Sequence, residues 1–164
     1  MRKFYFNNID DLINHLFYKY GELSPLKLQK SLYFLFAFYS GNYQAKEKEG
    51  VTESSYSDSY PKYLFDANFE AWNYGPVIKE VYKKNKAREY NAKEFKFDLE
   101  AKINIEINKF INDVSEMIIN KSDFALVDRS HEDYVWKNSF KNKNSKIMKK
   151  EDIENEYRKI FQSI

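Results

Sequence analysis

The chain has 164 residues, a length that suits one domain burying one core without covalent staples. It has no cysteine, which excludes disulfides, thiolate metal sites and cysteine catalysis and favours a cytoplasmic setting. Its 27 basic and 25 acidic residues leave a net charge of +2, too little to draw it strongly toward nucleic acid or acidic lipid.

The N-terminus, MRKFYFNNIDDLINHLF, lacks the long apolar run and small-residue cleavage site of a signal peptide. The longest apolar run, Leu32 to Tyr39, falls far short of the ~20 residues that span a bilayer. A soluble, intracellular protein with no membrane association is expected. Lys, Asn, Ile, Tyr and Phe are abundant, and all have A/T-rich codons. Part of the 18% aromatic content therefore reflects coding bias.

Ile9, Leu12, Ile13, Leu16, Phe17 and Tyr20 recur at three- and four-residue steps and predict an amphipathic helix. Asn7 or Asn8 caps it, Asp10 and Asp11 suit its positive end, and Gly21 closes it. Ser24 and Pro25 then give a strong start signal for a second helix. This helix is apolar nearly all round from Leu32 onward, which predicts the central, most buried one, ended by Gly41. Residues 44 to 62 are polar and Ser-rich and predict a mobile surface loop.

Tyr63–Phe65 and Phe69–Trp72 are expected to pair as a hairpin across Asp66, Ala67 and Asn68. Val77, Ile78, Val81 and Tyr82 predict a short helix opened by Pro76. Ile103, Ile107, Phe110, Ile111, Val114, Met117 and Ile118 form the longest clean helical stripe. Ser122 is expected to cap a short helix carrying Phe124, Leu126 and Val127. Ser130 and Asp133 have capping-box-like spacing ahead of Trp136. Asn138 to Lys150 reads as a loop. Ile153, Tyr157, Ile160, Phe161 and Ile164 form the face of a final helix. With no repeat and no linker, the expectation is a mainly α, single-domain bundle of about six helices over residues 1–164, with a small β-hairpin near 63–72.

Few constellations carry chemistry. His15 lies on the first helix, and His131 sits in DRSHED. Two histidines without cysteine or HExxH spacing do not suggest a metal site. Ser130 and His131 are chain neighbours, so a helix or turn points them apart, and no nucleophile-elbow pattern accompanies them. The expected roles are Ser130 as a helix cap and His131 bonded to a nearby carbonyl or carboxylate. Four glycines hold no phosphate-binding loop pattern, so no nucleotide cofactor is expected. Two lysine clusters, KKNKAR and WKNSFKNKNSKIMKK, read as solvated faces, and nucleic-acid binding is disfavoured.

The segment FEAWNYGPVIKEVY stands apart. Gly75 tolerates backbone values that other residues avoid, and Pro76 is read as the first residue of a helix. Trp72 and Tyr74 would then stand at a rigid strand-to-helix corner. Packing of Trp72 into the core is the favoured structural role. The functional alternative is a preorganised aromatic corner for a protein partner, since rigid Trp and Tyr are typical binding hot spots.

Three segments in order carry a family resemblance. SPLKLQKSLYF resembles the "KLQKLLYF" segment of the SocA-like antitoxin family, whose domain is called Panacea. LFDANFEAWNYGPVIKEVY resembles its "LFDEPFEAWKYGPVVPEVY", and LVDRSHEDYVWKNSF its "LSHKEDPWKEA". The likeness runs from about Ser24 to Phe161. Residues 44 to 62 are longer than the usual connection, Ser31 stands where Leu is common, and EDYV lacks the usual Pro before Trp136.

The resemblance implies a compact, mostly helical, non-enzymatic domain of toxin–antitoxin pairs, phages and other mobile elements. It implies neutralisation of an adjacent-gene toxin by direct protein contact. In one branch of the family, it implies delivery of that toxin to an ATP-dependent protease. The signature positions are Lys27, Gln29, Tyr33, Glu70, Trp72, Tyr74, Gly75, Pro76, His131 and Trp136. They are expected to build the shared scaffold, with some lining a common groove, and loop 44–62 is expected to tune partner choice. The same surface would serve a mobile-element effector that binds a host or defence protein. A nucleic-acid regulator using residues 137–150 is the further alternative. Oligomeric state is not legible in the sequence.

Overall fold

Local side-chain caps open three of the helices, and packing places the others. The structure is a computed structural model and describes residues 2–48 and 60–163. A short strand, β1 (Phe4–Phe6), leads into α1 (Ile9–Tyr20). Asn8 caps α1 by accepting from the Asp10 N–H at 2.9 Å, and Gly21, at φ +80°, ends it with an N–H donated to Phe17 O. The second helix, α2 (Pro25–Lys48), opens as predicted, with Ser24 Oγ accepting from the Lys27 N–H at 3.2 Å. Every residue from Leu28 to Gly41 except Phe38 is buried, so α2 is the central element.

Gly41 does not end this helix. It lies inside α2, where the backbone of the last helix, α7 (Lys150–Gln162), crosses it. A Cβ on Gly41 would lie 2.5 Å from Tyr157 Cβ and 2.6 Å from Tyr157 C. The glycine is there for close approach of two helices. Residues 44–48, expected to be loop, are therefore helical backbone, while 49–59 lie outside the described residues. Tyr60 and Pro61, at the end of the expected loop, are buried, and Tyr39 Oη donates to Pro61 O at 2.6 Å.

The sheets also differ from expectation. β2 (Tyr63–Phe65) does not pair with β3 (Phe69–Trp72). It runs parallel to β1, with Phe4 opposite Tyr63 and Phe6 opposite Phe65. All three β2 side chains are buried, and the apolar FYF segment supplies the ladder partner that a polar turn at 66–68 does not. β3 instead forms the hairpin with β4 (Gly75–Ile78), and β5 (Ile147–Met148) adds antiparallel on its other side. Pro76 thus belongs to an edge strand, the sheet position where a missing N–H costs least.

The remaining elements are α3 (Lys79–Lys86), α4 (Lys102–Ile119), α5 (Asp123–His131) and α6 (Tyr134–Lys141). The fold is mainly α, with seven helices among the described residues rather than about six. Ser122 caps α5 as expected, accepting from the Ala125 N–H at 3.1 Å. The 138–150 stretch is not simply a loop, because α6 runs through Lys141 and β5 follows.

Between α3 and α4 the chain runs extended along α1. The Lys93 N–H donates to Asn14 O and the Phe95 N–H donates to His15 Nδ1, both at 3.0 Å. Phe97 meets the His15 ring edge-on at 5.5 Å. Burial holds His15 below its ordinary value of 6.5, helped by Lys19 and opposed by Glu94. The bond from Phe95 also requires a neutral acceptor nitrogen.

Below pH 6.5 the unfolded chain takes up a proton that the folded ring resists. The contribution of His15 is therefore fully present above that pH and declines as pH falls toward the lower folded value. The thermal midpoint is expected to drop as pH falls below 6.5, and less so in His15→Gln. Equal slopes in the two proteins would remove His15 as the cause.

Candidate functional site

The segment FEAWNYGPVI folds into a tight antiparallel hairpin. Phe69 lies opposite Ile78, and Trp72 opposite Gly75, which leaves Asn73 and Tyr74 at the turn. Gly75 supplies the positive φ, +109°, that lets the strand return. A Cβ there would also stand 2.4 Å from Ser130 Oγ and 2.8 Å from Lys30 Cε. The corner is therefore strand-to-strand rather than strand-to-helix, and it rests on α2 and α5.

Two α2 side chains bind the returning strand. Gln29 Oε1 accepts from the Ile78 N–H at 2.8 Å, and Gln29 Nε2 donates to Ile78 O at 3.2 Å. This amide pairs with the outer edge of β4 much as a neighbouring strand would. Lys30 Nζ donates to Pro76 O at 3.1 Å.

The other signature positions divide between the back and front of this corner. Lys27 Nζ donates to Ile119 O at 2.9 Å and to Lys121 O, and so satisfies carbonyls at the end of α4. Tyr33 Oη donates to the buried Asp133 carboxylate. Trp136 is buried in a stack between His131, at 4.0 Å, and Phe140, at 4.7 Å, and its Nε1 donates to Trp72 O at 3.1 Å.

The core tryptophan is thus Trp136, not Trp72. Trp72 is half-buried at the strand end, where its Nε1 donates to Glu70 Oε1 at 3.2 Å and its ring meets Tyr82 edge-on at 5.3 Å. Tyr74 projects from the turn with 70% of its surface exposed.

Trp72, Tyr74, Tyr82, Leu26, Phe140 and Lys30 line a recess of about 660 Å³. That volume lies in the range of ordinary binding pockets. Lys30 is 1% exposed, and burial pushes its ammonium down to about 8. Sequence reasoning singled out its neighbours Lys27 and Gln29 and passed over Lys30. The available signal was a lysine on the helix predicted to be buried, between Leu28 and Leu32.

Ser130 and His131 form no catalytic pair. Ser130 lies in the last turn of α5, where its Oγ donates to Val127 O at 2.9 Å, so it is not a cap. The His131 ring stacks on Trp136, and its buried Nε2 meets no hydrogen-bond partner among the described residues, contrary to the expected carbonyl or carboxylate. Asp133 stands at the N-cap of α6, but its carboxylate makes no capping bond there. The surface offers an aromatic rim, an apolar recess and one buried cation, which suits recognition.

A family model described as antitoxin SocA-like, Panacea domain, matches residues 51–137. The match spans the hairpin and the His131–Trp136 stack and leaves the KLQK segment of α2 outside it. No curated protein and no solved structure matches the chain.

Proposed function

Since the chain belongs to the SocA-like antitoxin family with its Panacea domain, we propose that it neutralises a toxin protein by direct contact, without chemistry of its own. The observation that carries this reading is the hairpin corner, where Trp72 and Tyr74 flank an apolar recess on a rigid support. Rigid aromatics beside a pocket are the usual anchors of protein interfaces. Covering a toxin surface of standard interface size, ~1,600 Å², is enough to block it. Gln29, Tyr33 and Trp136 hold the corner in place, Lys27 ties α2 to the end of α4, and Trp72 and Tyr74 meet the partner. Delivery of the bound toxin to an ATP-dependent protease is a separable second step, read as a shortened toxin half-life in cells. The proposed setting is the cytoplasm; among the described residues no helix is long and apolar enough to cross a membrane.

The test is co-expression with the toxin encoded beside it, followed by a binding titration. Trp72→Ala and Tyr74→Ala together should weaken toxin binding at least about ten-fold while the thermal midpoint moves little. Wild-type affinity in that double variant would place the interface elsewhere, and failure of the wild-type chain to bind any protein would end the reading.

A further inference from the structure

The recess beside the hairpin carries charge of one sign only. Its two charged lining residues are Lys30 and Lys146, and no Asp or Glu lines it. The other buried charges described are compensated: Asp133 meets Arg129 at 2.7 Å, and Glu154 meets Lys62 at 3.9 Å. Lys30 is different. It forms no ion pair with a described carboxylate, and the carbonyl of Pro76 engages only one of its three donors.

An uncompensated ammonium in a low-dielectric setting is costly to the fold. The same setting lets its field act across the apolar recess with little screening. Departures of this kind from the usual pairing of buried charge concentrate at functional sites. Lys146, exposed on the rim with its Nζ held at Phe140 O, adds a second positive charge at the mouth.

Resting on the reading that this corner docks a protein, we propose that the recess takes an apolar side chain of a partner segment flanked by Asp or Glu, whose carboxylate lies toward Lys30 and Lys146. The carboxylate supplies the counter-charge that the lining lacks. The aromatic walls take the neighbouring apolar group. A basic segment is rejected by the same two lysines, so the charge selects among partners as well as attracting one.

Three capped peptides of equal length test this, with a central phenylalanine flanked by aspartates, by asparagines or by lysines. Binding is followed by tryptophan fluorescence of the full chain, since Trp72 lines the recess. The aspartate peptide is expected to bind about ten-fold more tightly than the asparagine peptide, and the lysine peptide more weakly than both. Lys30→Met should bring the aspartate-to-asparagine ratio close to one. Lys146→Glu, an exposed change that leaves the core intact, should lower it too and serves if Lys30→Met does not fold.

Equal affinity for the aspartate and asparagine peptides overturns the proposal. So does a ratio unchanged in the lysine variants, or no binding of any peptide to the wild-type chain. The docking reading fails by a different result, toxin binding that survives loss of both Trp72 and Tyr74. Toxin binding lost in that double variant, with no aspartate preference among the peptides, removes the carboxylate inference alone.

Discussion

Replacing Asp133 with alanine is expected to lower the unfolding free energy by about 3–5 kcal/mol. Asp133 is 1% exposed, and its carboxylate joins four helices. Oδ2 accepts from Tyr33 Oη on α2 and from Tyr157 Oη on α7, the latter at 2.6 Å, and Oδ1 accepts from Arg129 on α5 at 2.7 Å. The residue itself stands at the start of α6. Burial and the neighbouring carboxylate hold both tyrosine hydroxyls firmly protonated, so they remain donors at any ordinary pH.

Alanine would leave two buried hydroxyls and a half-buried guanidinium without their acceptor, and unsatisfied groups cost more than a made bond returns. Domains have only about 5–15 kcal/mol of stability, so the variant should be largely unfolded if the parent lies at the low end. Urea titration measures it. Tyr33→Phe, which removes one donor and leaves the anion with two, should cost about 1 kcal/mol. A loss below about 1 kcal/mol for Asp133→Ala would mean that water replaces the carboxylate easily and the junction is not buried as described.

The second large effect is expected at Gly41. In an exposed helix a change of Gly to Ala adds about 1 kcal/mol of helix propensity. Here the sign should reverse, with a net loss of about 2–3 kcal/mol. The added methyl would meet Tyr157 Cβ at 2.5 Å, Tyr157 C at 2.6 Å and Arg158 N at 2.9 Å. Two of these are backbone atoms, so no side-chain rotation relieves the clash and α7 must move away from α2. That movement would also disturb Tyr157 and its bond to Asp133, so the two sites should couple in a double-mutant cycle. An unchanged or higher urea midpoint for Gly41→Ala would show that the helices are not in backbone contact.

How much of this was legible in the residues follows from the range of the forces involved. Helix signals are local. The stripes of α1, α4 and α7 and the caps at Asn8, Ser24 and Ser122 act within a turn or two, and the structure bears them out except that Met117 is exposed and Ile164 lies outside the described residues. Strand pairing is not local. Phe4–Phe6 is three residues long, and its partner lies beyond two helices. Pro76 is compatible with both a helix start and an edge strand, and only the pairing of Ala71 with Pro76 decides between them.

Gly41 has the same ambiguity between a helix end and a helix contact. Within the site, the aromatics stood out because residue type alone marks them. Lys30 and Asp133 did not, because a charge becomes unusual only through burial, and their burial is set by elements distant in sequence. The lysine drew no notice beside Lys27, and the aspartate read only as the second member of a capping-box-like spacing with Ser130.

The contact between Gly41 and Tyr157 also sets a timetable. A ribosome working at about 5–20 residues per second needs roughly 6–23 s to travel from the first position to the second. Until α7 emerges, Phe38 on the flank of α2 lacks the Tyr157 and Phe161 rings that pack against it. Each newly made copy therefore passes through an interval in which one side of its central helix is open to chaperones and proteases.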